Sequence, residues 1–252
     1  MSGHSKWAGI KHKKAIVDAK RGQIFTKVAR EITVAARDGG GDPIGNFRLR
    51  LAIQKAREVN MPADNIDRAI QRGVGGKDAA QLEDIRYEGY GPHGVAIMVD
   101  VLTDNRNRTV AALRNLFTRA GGSLGETNSV GWMFTQQGVI RVDAAAREPE
   151  ELALELLDAV DLGDDGDIGA EPGEVVITVA PGRFEAARAV VEARGLRVDG
   201  AEITMNPSQA VKLDAKQAPA VIRLLDALED HDDVQQVYAN AEIPDSVLSA
   251  VG

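Results

Sequence analysis

The amino-terminal segment of this 252-residue chain combines many cations with an aromatic side chain. Lysine and arginine neutralise phosphates and release counterions, and an aromatic ring can stack on a base. In the segment "GHSKWAGIKHKKAIVDAKRG", residues 3–22, only Asp18 is acidic. We therefore predict a polyanion-binding segment, the alternative being a solvated cationic tail whose tryptophan packs on the core. The candidate contact residues are Lys6, Trp7, Lys11, His12, Lys13, Lys14, Lys20 and Arg21.

The spacing of the lysines extends this candidate site along a helix. Lys6, Lys13, Lys20 and Lys27 recur every seven residues, and Arg30 continues the same stripe. Residues at this spacing share one helix face. The pattern therefore predicts a cationic face that includes Lys27 and Arg30.

A second candidate site is "LTDNRNRT", which starts at Leu102. It joins a predicted strand to a predicted helix, where backbone and guanidinium donors can face a phosphate. Arg106 and Arg108 are its candidate contact residues. In the alternative interpretation, Asn107 caps the helix and Arg108 lies in solvent.

Other kinds of chemistry find little support in the sequence. The chain has no cysteine, which excludes disulfides and thiolate metal sites, and its four histidines lack metal-binding spacing. "GVGGK" and "DLGDDGDIGAEP" match phosphate-loop and calcium-loop patterns only in part, so we interpret them as a linker and an acidic turn. We expect a non-enzymatic protein with no catalytic residue, metal or cofactor.

The charge is divided unevenly along the chain. Residues 1–77 hold 16 Lys and Arg against 7 Asp and Glu, about +9, whereas the whole chain carries a net charge of -8. An acidic body repels nucleic acid, so DNA or ribosomal RNA must be met by the basic part. The acidic body, in turn, suits contact with basic protein segments.

No apolar run approaches the roughly 20 residues of a membrane span, so we expect a cytoplasmic protein that does not contact the membrane.

The elements that must position these residues begin with helices. Apolar residues at helical spacing predict helices over 23–37 and 43–59, the second capped by Asp42, and a short third helix after Pro62. No helix-turn-helix spacing is evident.

Alternating strands and helices follow. Residues 139–204 show the order βαββαβ, which is ferredoxin-like. The strands at 95–102, 130–134, 209–213 and 234–239, with helices from Arg108 and Ala218, give a second copy of this order. If the first copy is an insertion, strand 234–239 must lie beside strand 95–102.

This pattern predicts an α+β protein of three domains. They are a basic all-helical domain over 1–77, a discontinuous α+β domain over 78–135 plus 205–252, and an inserted ferredoxin-like domain over 136–204.

Several long motifs resemble the YebC family: "GHSKWAGIKHKKAIVDAKRGQIFTKVAREI", "NFRLRLAIQKAREVNMPADNIDRAIQRG", "YEGYGPHGVAIMVDVLTDNRNRTVAALRNLFTRAGGSLG" and "SVGWMF". Gly9 stands where the family often has Asn. The resemblance implies one helical and two α+β domains and a regulatory function without catalysis. It implies a DNA-binding regulator of transcription or, as the alternative, a ribosome-associated translation factor that binds ribosomal RNA and relieves stalling at proline-rich stretches.

Overall fold

The computed structural model describes residues 18–75, 82–145, 147–244 and 247, with side chains from residue 21 onward. They fall into two compact units, the first drawn from residues 1–133 and 209–252 and the second from residues 134–208. The helices are α1 (Asp18–Gly39), α2 (Phe47–Glu58), α3 (Ala63–Gly75), α4 (Arg106–Arg119), α5 (Pro149–Ala159), α6 (Phe184–Ala193) and α7 (Ala218–Glu229). The strands are β1 (Glu83–Tyr90), β2 (Ala96–Thr103), β3 (Ser123–Leu124), β4 (Phe134–Asp143), β5 (Asp167–Glu171), β6 (Glu174–Val179), β7 (Val198–Pro207), β8 (Val211–Lys212), β9 (Val234–Ala239) and β10 (Ala241–Glu242).

The first three helices pack around a small aliphatic core. Ile32 of α1 and Leu49 of α2 are fully buried there, and Ile66 of α3 joins them. Gly73 permits a close approach of α3 to α1, since an added Cβ would lie 2.4 Å from the carbonyl oxygen of Thr33. The helical spacing of the apolar residues is thus explained by one shared core.

The start of α2 corrects one expectation. The N-cap is Asn46, whose Oδ1 accepts a hydrogen bond from the Leu49 N–H, and not Asp42. Asn46 also donates to the carbonyl oxygens of Ala35 and Gly40 at the end of α1. One buried side chain therefore ends one helix and begins the next, whereas Asp42 forms a turn by accepting from the Ile44 N–H.

The second unit has the predicted ferredoxin-like topology. Its sheet has the order β5-β6-β4-β7, and each neighbouring pair is antiparallel. With α5 and α6 this gives the connectivity βαββαβ. Fully buried side chains of β4 and β6, among them Ile140 and Ile177, form its core with Phe184 of α6.

The first unit contains the other four-stranded sheet, in the order β3-β1-β2-β9. The predicted neighbourhood of strands 95–102 and 234–239 is confirmed, because Ile97 pairs with Ala239 and Val101 with Val234. Helices α4 and α7 supply buried side chains such as Phe117 and Leu225 to its core. The α+β class and the insertion of a βαββαβ unit into the chain of the first unit are therefore confirmed, while the division of the first unit into separate domains stays a prediction.

Two strand assignments in this unit were wrong. Residues 209–213 contribute only β8, which pairs in parallel with β10 outside the main sheet. Residues 131–133 form a 3-10 helix, and Phe134 belongs to β4 of the second unit. The position between β2 and β3 is taken by β1, for which the sequence analysis assigned no strand.

Candidate nucleic-acid interface

The structure describes only part of the predicted contact set. Lys6, Trp7, Lys11, His12, Lys13 and Lys14 lie outside the described residues, and so does the side chain of Lys20. Arg21 is exposed on α1, with its guanidinium carbon 5.8 Å from the centre of the Phe25 ring. The predicted contact residues whose surroundings can be described in more detail are therefore Lys27, Arg30, Arg106 and Arg108.

The described end of the lysine stripe faces an acidic turn of the same chain. We call residues Glu229–Asp233 the acidic turn; it starts at the last residue of α7 and ends directly before β9. Lys27 Nζ donates to the Glu229 carbonyl oxygen at 2.5 Å, and Arg30 Nη1 donates to the Asp232 carbonyl oxygen at 2.9 Å. Gln23 adds hydrogen bonds to the Asp230 carbonyl oxygen and to Asp232 Oδ1. This face of α1 is thus occupied by an intramolecular contact.

Burial at this contact changes the chemistry of Lys27. Removal from water lowers the pKa of the Lys27 ammonium to about 8, although the charges of Glu229, Asp232 and Asp230 oppose the shift. Lys27 still carries its charge at neutral pH, but its ammonium group is withdrawn from solvent and bound to the Glu229 carbonyl oxygen, whereas a phosphate-binding lysine must be accessible. We therefore assign Lys27 to the docking of α1 on the acidic turn.

Asp233 is the junction of this contact, and its side chain is only 3% exposed. Its Oδ1 accepts from Arg30 at 3.0 Å, and its Oδ2 accepts from Arg108 at 2.9 Å and from the Thr109 hydroxyl at 2.7 Å. A longer hydrogen bond of 3.3 Å comes from the Thr103 hydroxyl. One carboxylate therefore joins α1, the end of β2 and the first turn of α4.

The pKa of Asp233 lies below its ordinary value. Burial opposes ionisation, but the hydrogen bonds from Thr109 and Arg108 and the charges of Arg108 and Arg30 outweigh it. Asp233 therefore stays ionised at neutral pH and holds both guanidinium groups.

The segment after β2 has a different arrangement from the one expected. Asn105, and not Asn107, caps α4, since its Oδ1 accepts from the Arg108 N–H at 3.0 Å. Arg108 bridges Asp104 and Asp233 and does not lie free in solvent. Arg106 is exposed and makes no hydrogen bond or ion pair with the described residues. Within this predicted pair, only Arg106 is available to a ligand.

Gln23 and the acidic turn were not predicted from the sequence. The sequence did contain an indication of the acidic turn, because "EDHDD" at 229–233 is a cluster of negative charges complementary to a cationic helix. Spacing alone could not reveal it, since more than 200 residues separate Lys27 from Glu229 along the chain.

The connection between α2 and α3 bears on how bases could be read. Four residues, 59–62, separate the two helices, a length found in helix-turn-helix motifs, although the sequence analysis saw no such spacing. The first turns of α3 expose Asp64 and Asp67. Because the amino-terminal end of a recognition helix approaches the bases, these carboxylates would repel DNA there.

Comparison with known proteins covers nearly the whole chain. Residues 5–76 match the family model of the TACO1/YebC protein N-terminal domain, and residues 82–241 match that of the TACO1/YebC second and third domain. The chain belongs to the TACO1/YebC family. The resemblance noted in the motifs is thereby confirmed.

Relatives in the TACO1/YebC family match over their full length. A protein of Pelotomaculum thermopropionicum is 54% identical over 245 residues, which cover 97% of this chain and 100% of the relative. One from Pseudomonas savastanoi pv. phaseolicola is 52% identical over 252 residues, covering 100% of both. Each is named a probable transcriptional regulatory protein. These names indicate a regulatory protein rather than an enzyme.

A solved structure has the same fold. A conserved hypothetical protein of Aquifex aeolicus is 44% identical and superposes with a TM-score of 0.82, covering 95% of this chain and 97% of the other. Among the described residues, no helix is long and apolar enough to cross a membrane.

Proposed function

We propose that this TACO1/YebC protein is a DNA-binding regulator of transcription that acts without catalysis. The observation that carries the proposal is the charge separation: residues 1–77 carry about +9 in a chain whose net charge is -8. Such a basic part attracts the DNA backbone, while most of the acidic remainder is repelled by it. The names of the relatives support the regulation of transcription.

The contacts are to phosphates more than to bases. Asp64 and Asp67 make α3 a poor reader of the major groove, whereas Lys13 and Lys14 belong to a segment with almost no counter-charge. Phosphate contacts fix position on DNA but carry no sequence information. We therefore expect affinity that varies little with DNA sequence and strongly with salt.

The described cations of α1 have a supporting role in this proposal. Lys27 and Arg30 attach α1 to the acidic turn. They thereby fix the position of the helix into which the amino-terminal segment leads. Proposed DNA contacts are therefore the amino-terminal residues Lys6 to Arg21 of the predicted set, and Arg106 on α4.

Reversing the charge of Lys13 and Lys14 tests the proposal. The full-length Lys13→Glu/Lys14→Glu variant should bind a fluorescein-labelled 24-base-pair DNA duplex at least about tenfold more weakly at 0.1 M salt, because two phosphate contacts become repulsive. Fluorescence anisotropy measures the affinity, and circular dichroism melting checks that the fold is kept.

The control is Lys212→Glu/Lys216→Glu, which changes the net charge equally at exposed positions of the acidic part. Unchanged DNA affinity in the Lys13/Lys14 variant, or an equal loss in the control, would contradict the assignment of the site. Tighter binding of an RNA of the same sequence than of the duplex would contradict the choice of DNA.

A further inference from the structure

Helix α4 has a composition unlike that of the acidic part in which it lies. It carries four arginines, Arg106, Arg108, Arg114 and Arg119, and its sequence "RNRTVAALRNLFTR" contains no aspartate or glutamate. The residues after 77 hold about 17 more acidic than basic side chains, so a helix with only positive charges departs from its surroundings. An exposed helix built for stability alone would carry paired charges of both signs.

Three of these arginines are available to a ligand. Arg108 is held by Asp104 and Asp233, but Arg106, Arg114 and Arg119 are exposed, and their guanidinium groups form no hydrogen bond or ion pair with any residue that the structure describes. Their charges are therefore not neutralised within that part of the chain.

Helical spacing gathers the polar residues on one side. Thr109, Leu113 and Phe117 are buried against the sheet. The residues that face away from them are exposed, and we call them the α4 face: Asn107, Ala111, Arg114, Asn115, Thr118 and Arg119. Only Ala111 in this set is apolar, whereas the centre of a protein-protein interface is enriched in aromatic and aliphatic side chains. The composition instead matches the arginine and amide donors that contact phosphate and sugar.

We propose that the α4 face is a second contact surface for the nucleic-acid backbone, separate from the amino-terminal segment. This inference rests on the proposed function and adds a site to it. Arg114 and Arg119 lie about 7.5 Å apart along the helix axis. Being five residues apart, the two arginines lie on either side of the α4 face, with Ala111, Asn115 and Thr118 between them. Their long guanidinium side chains can therefore reach separate phosphates of a backbone that lies along this face.

The position of α4 within the first unit is fixed by the junction at Asp233. Arg108 in the first turn of α4 and Arg30 of α1 bind the two oxygens of the same carboxylate. Helices α1 and α4 thus belong to one compact unit, and we expect the amino-terminal segment that leads into α1 to act with the α4 face on the same nucleic acid.

The test is the full-length Arg114→Glu/Arg119→Glu variant, titrated against the DNA duplex used above and a single-stranded RNA of 24 nucleotides. We expect a Kd at least about tenfold higher than wild type at 0.1 M salt, and a plot of log K against log salt whose slope is smaller by about two for the duplex. Arg114→Gln/Arg119→Gln, which adds no acidic group, should show the same direction with a smaller change.

The matched control is Lys216→Glu/Arg223→Glu, since both residues are exposed in the same unit and the net charge changes equally. Affinity and slope equal to wild type in both α4 variants, or an equal loss in the control, would overturn the α4 surface alone. Poly-glutamate that binds through the α4 face while the polynucleotides do not would also overturn it, in favour of an acidic protein partner. A wild-type chain that binds neither polynucleotide contradicts the proposed function as well.

Discussion

Lys27 shows how one residue can belong to a sequence pattern without sharing the pattern's function. It stands in the seven-residue lysine stripe, yet its ammonium group donates to the Glu229 carbonyl oxygen and is removed from water. The energetic consequence is a pKa of about 8 in the folded chain, compared with 10.5 for a free lysine. Protonated Lys27 therefore costs stability, because burial penalises the charged form.

The pH dependence of unfolding tests this account of Lys27. Between pH 8 and pH 10.5 the unfolded chain binds more protons at Lys27 than the folded chain, so the free energy of unfolding rises with pH. Relative to Lys27→Met, the wild type should gain about 1–3 kcal/mol across this interval. Urea unfolding of both proteins at several pH values measures the difference. A difference that is constant from pH 7 to pH 10.5 would show that the Lys27 pKa is not lowered.

The elements α1, β2 and α4 meet at Asp233, and their attachment depends on its charge. Asp233→Asn removes the charge shared by Arg30 and Arg108 and places an amide donor against other donors. We expect it to lower the free energy of unfolding by about 2–3 kcal/mol at pH 7. The Asp233 pKa is lowered in the folded chain, so this contribution is present above about pH 4 and is lost as the pH falls further.

Asp104→Asn is the control for that measurement. Asp104 binds Arg108 in an exposed ion pair, with side chains 55% and 53% exposed, so its loss should cost less than about 0.5 kcal/mol. Chemical unfolding at pH 7 and pH 3 compares both variants with wild type. Equal stability of Asp233→Asn and wild type at pH 7 would show that Asp233 does not hold these elements together.

The elements with regular apolar spacing could be predicted from the sequence. Helix α1 and the pairing of β9 with β2 follow from aliphatic residues whose periods match burial in two separate cores. Strand β1 was not predicted, because "EDIRYEGY" has no alternation of aliphatic and polar residues, although the strand lies between two others in the sheet. Its charged residues Arg86 and Glu88 are bound by partners distant in sequence, which no local pattern reveals.

Glu88 of β1 is the clearest case of such a partner. Its carboxylate is buried and accepts hydrogen bonds from the backbone N–H groups of Asn128, Val130 and Gly131. Burial opposes ionisation, but these three hydrogen bonds and the charge of Arg86 hold the Glu88 pKa below its ordinary value. These hydrogen bonds fix the turn at 128–130 and the start of the 3-10 helix at Gly131, which explains why residues 130–133 do not form the expected strand.

The candidate site was only partly predictable for a related reason. Charge counting identified the basic part, and the motif at 102–109 drew attention to Arg106 and Arg108. Which cations are free depends on the acidic turn and on Asp233, and folding alone brings these next to α1 and α4. Arg114 and Arg119 of α4 were not predicted, because their significance lies in the absence of acidic neighbours on the same helix.

At the scale of the whole molecule, the charges divide between two tasks. Some cations of the basic part hold the chain together, as Arg48 does by binding Asp84 at 2.6 Å and Arg30 by binding Asp233. Others are left to external anions. Although the net charge of the chain is -8, we therefore expect part of its surface to be positively charged and to bind polyanions.

The salt dependence of DNA binding tests this central claim most directly. Anisotropy titrations of the full-length chain with the 24-base-pair duplex, from 0.05 to 0.3 M salt, give the slope of log K against log salt. We predict a linear plot with a slope of about -4 or steeper, since each phosphate contact contributes about -0.9. No binding at the lowest salt, or binding whose affinity does not change with salt, would contradict the claim that this protein uses its basic part to hold DNA phosphates.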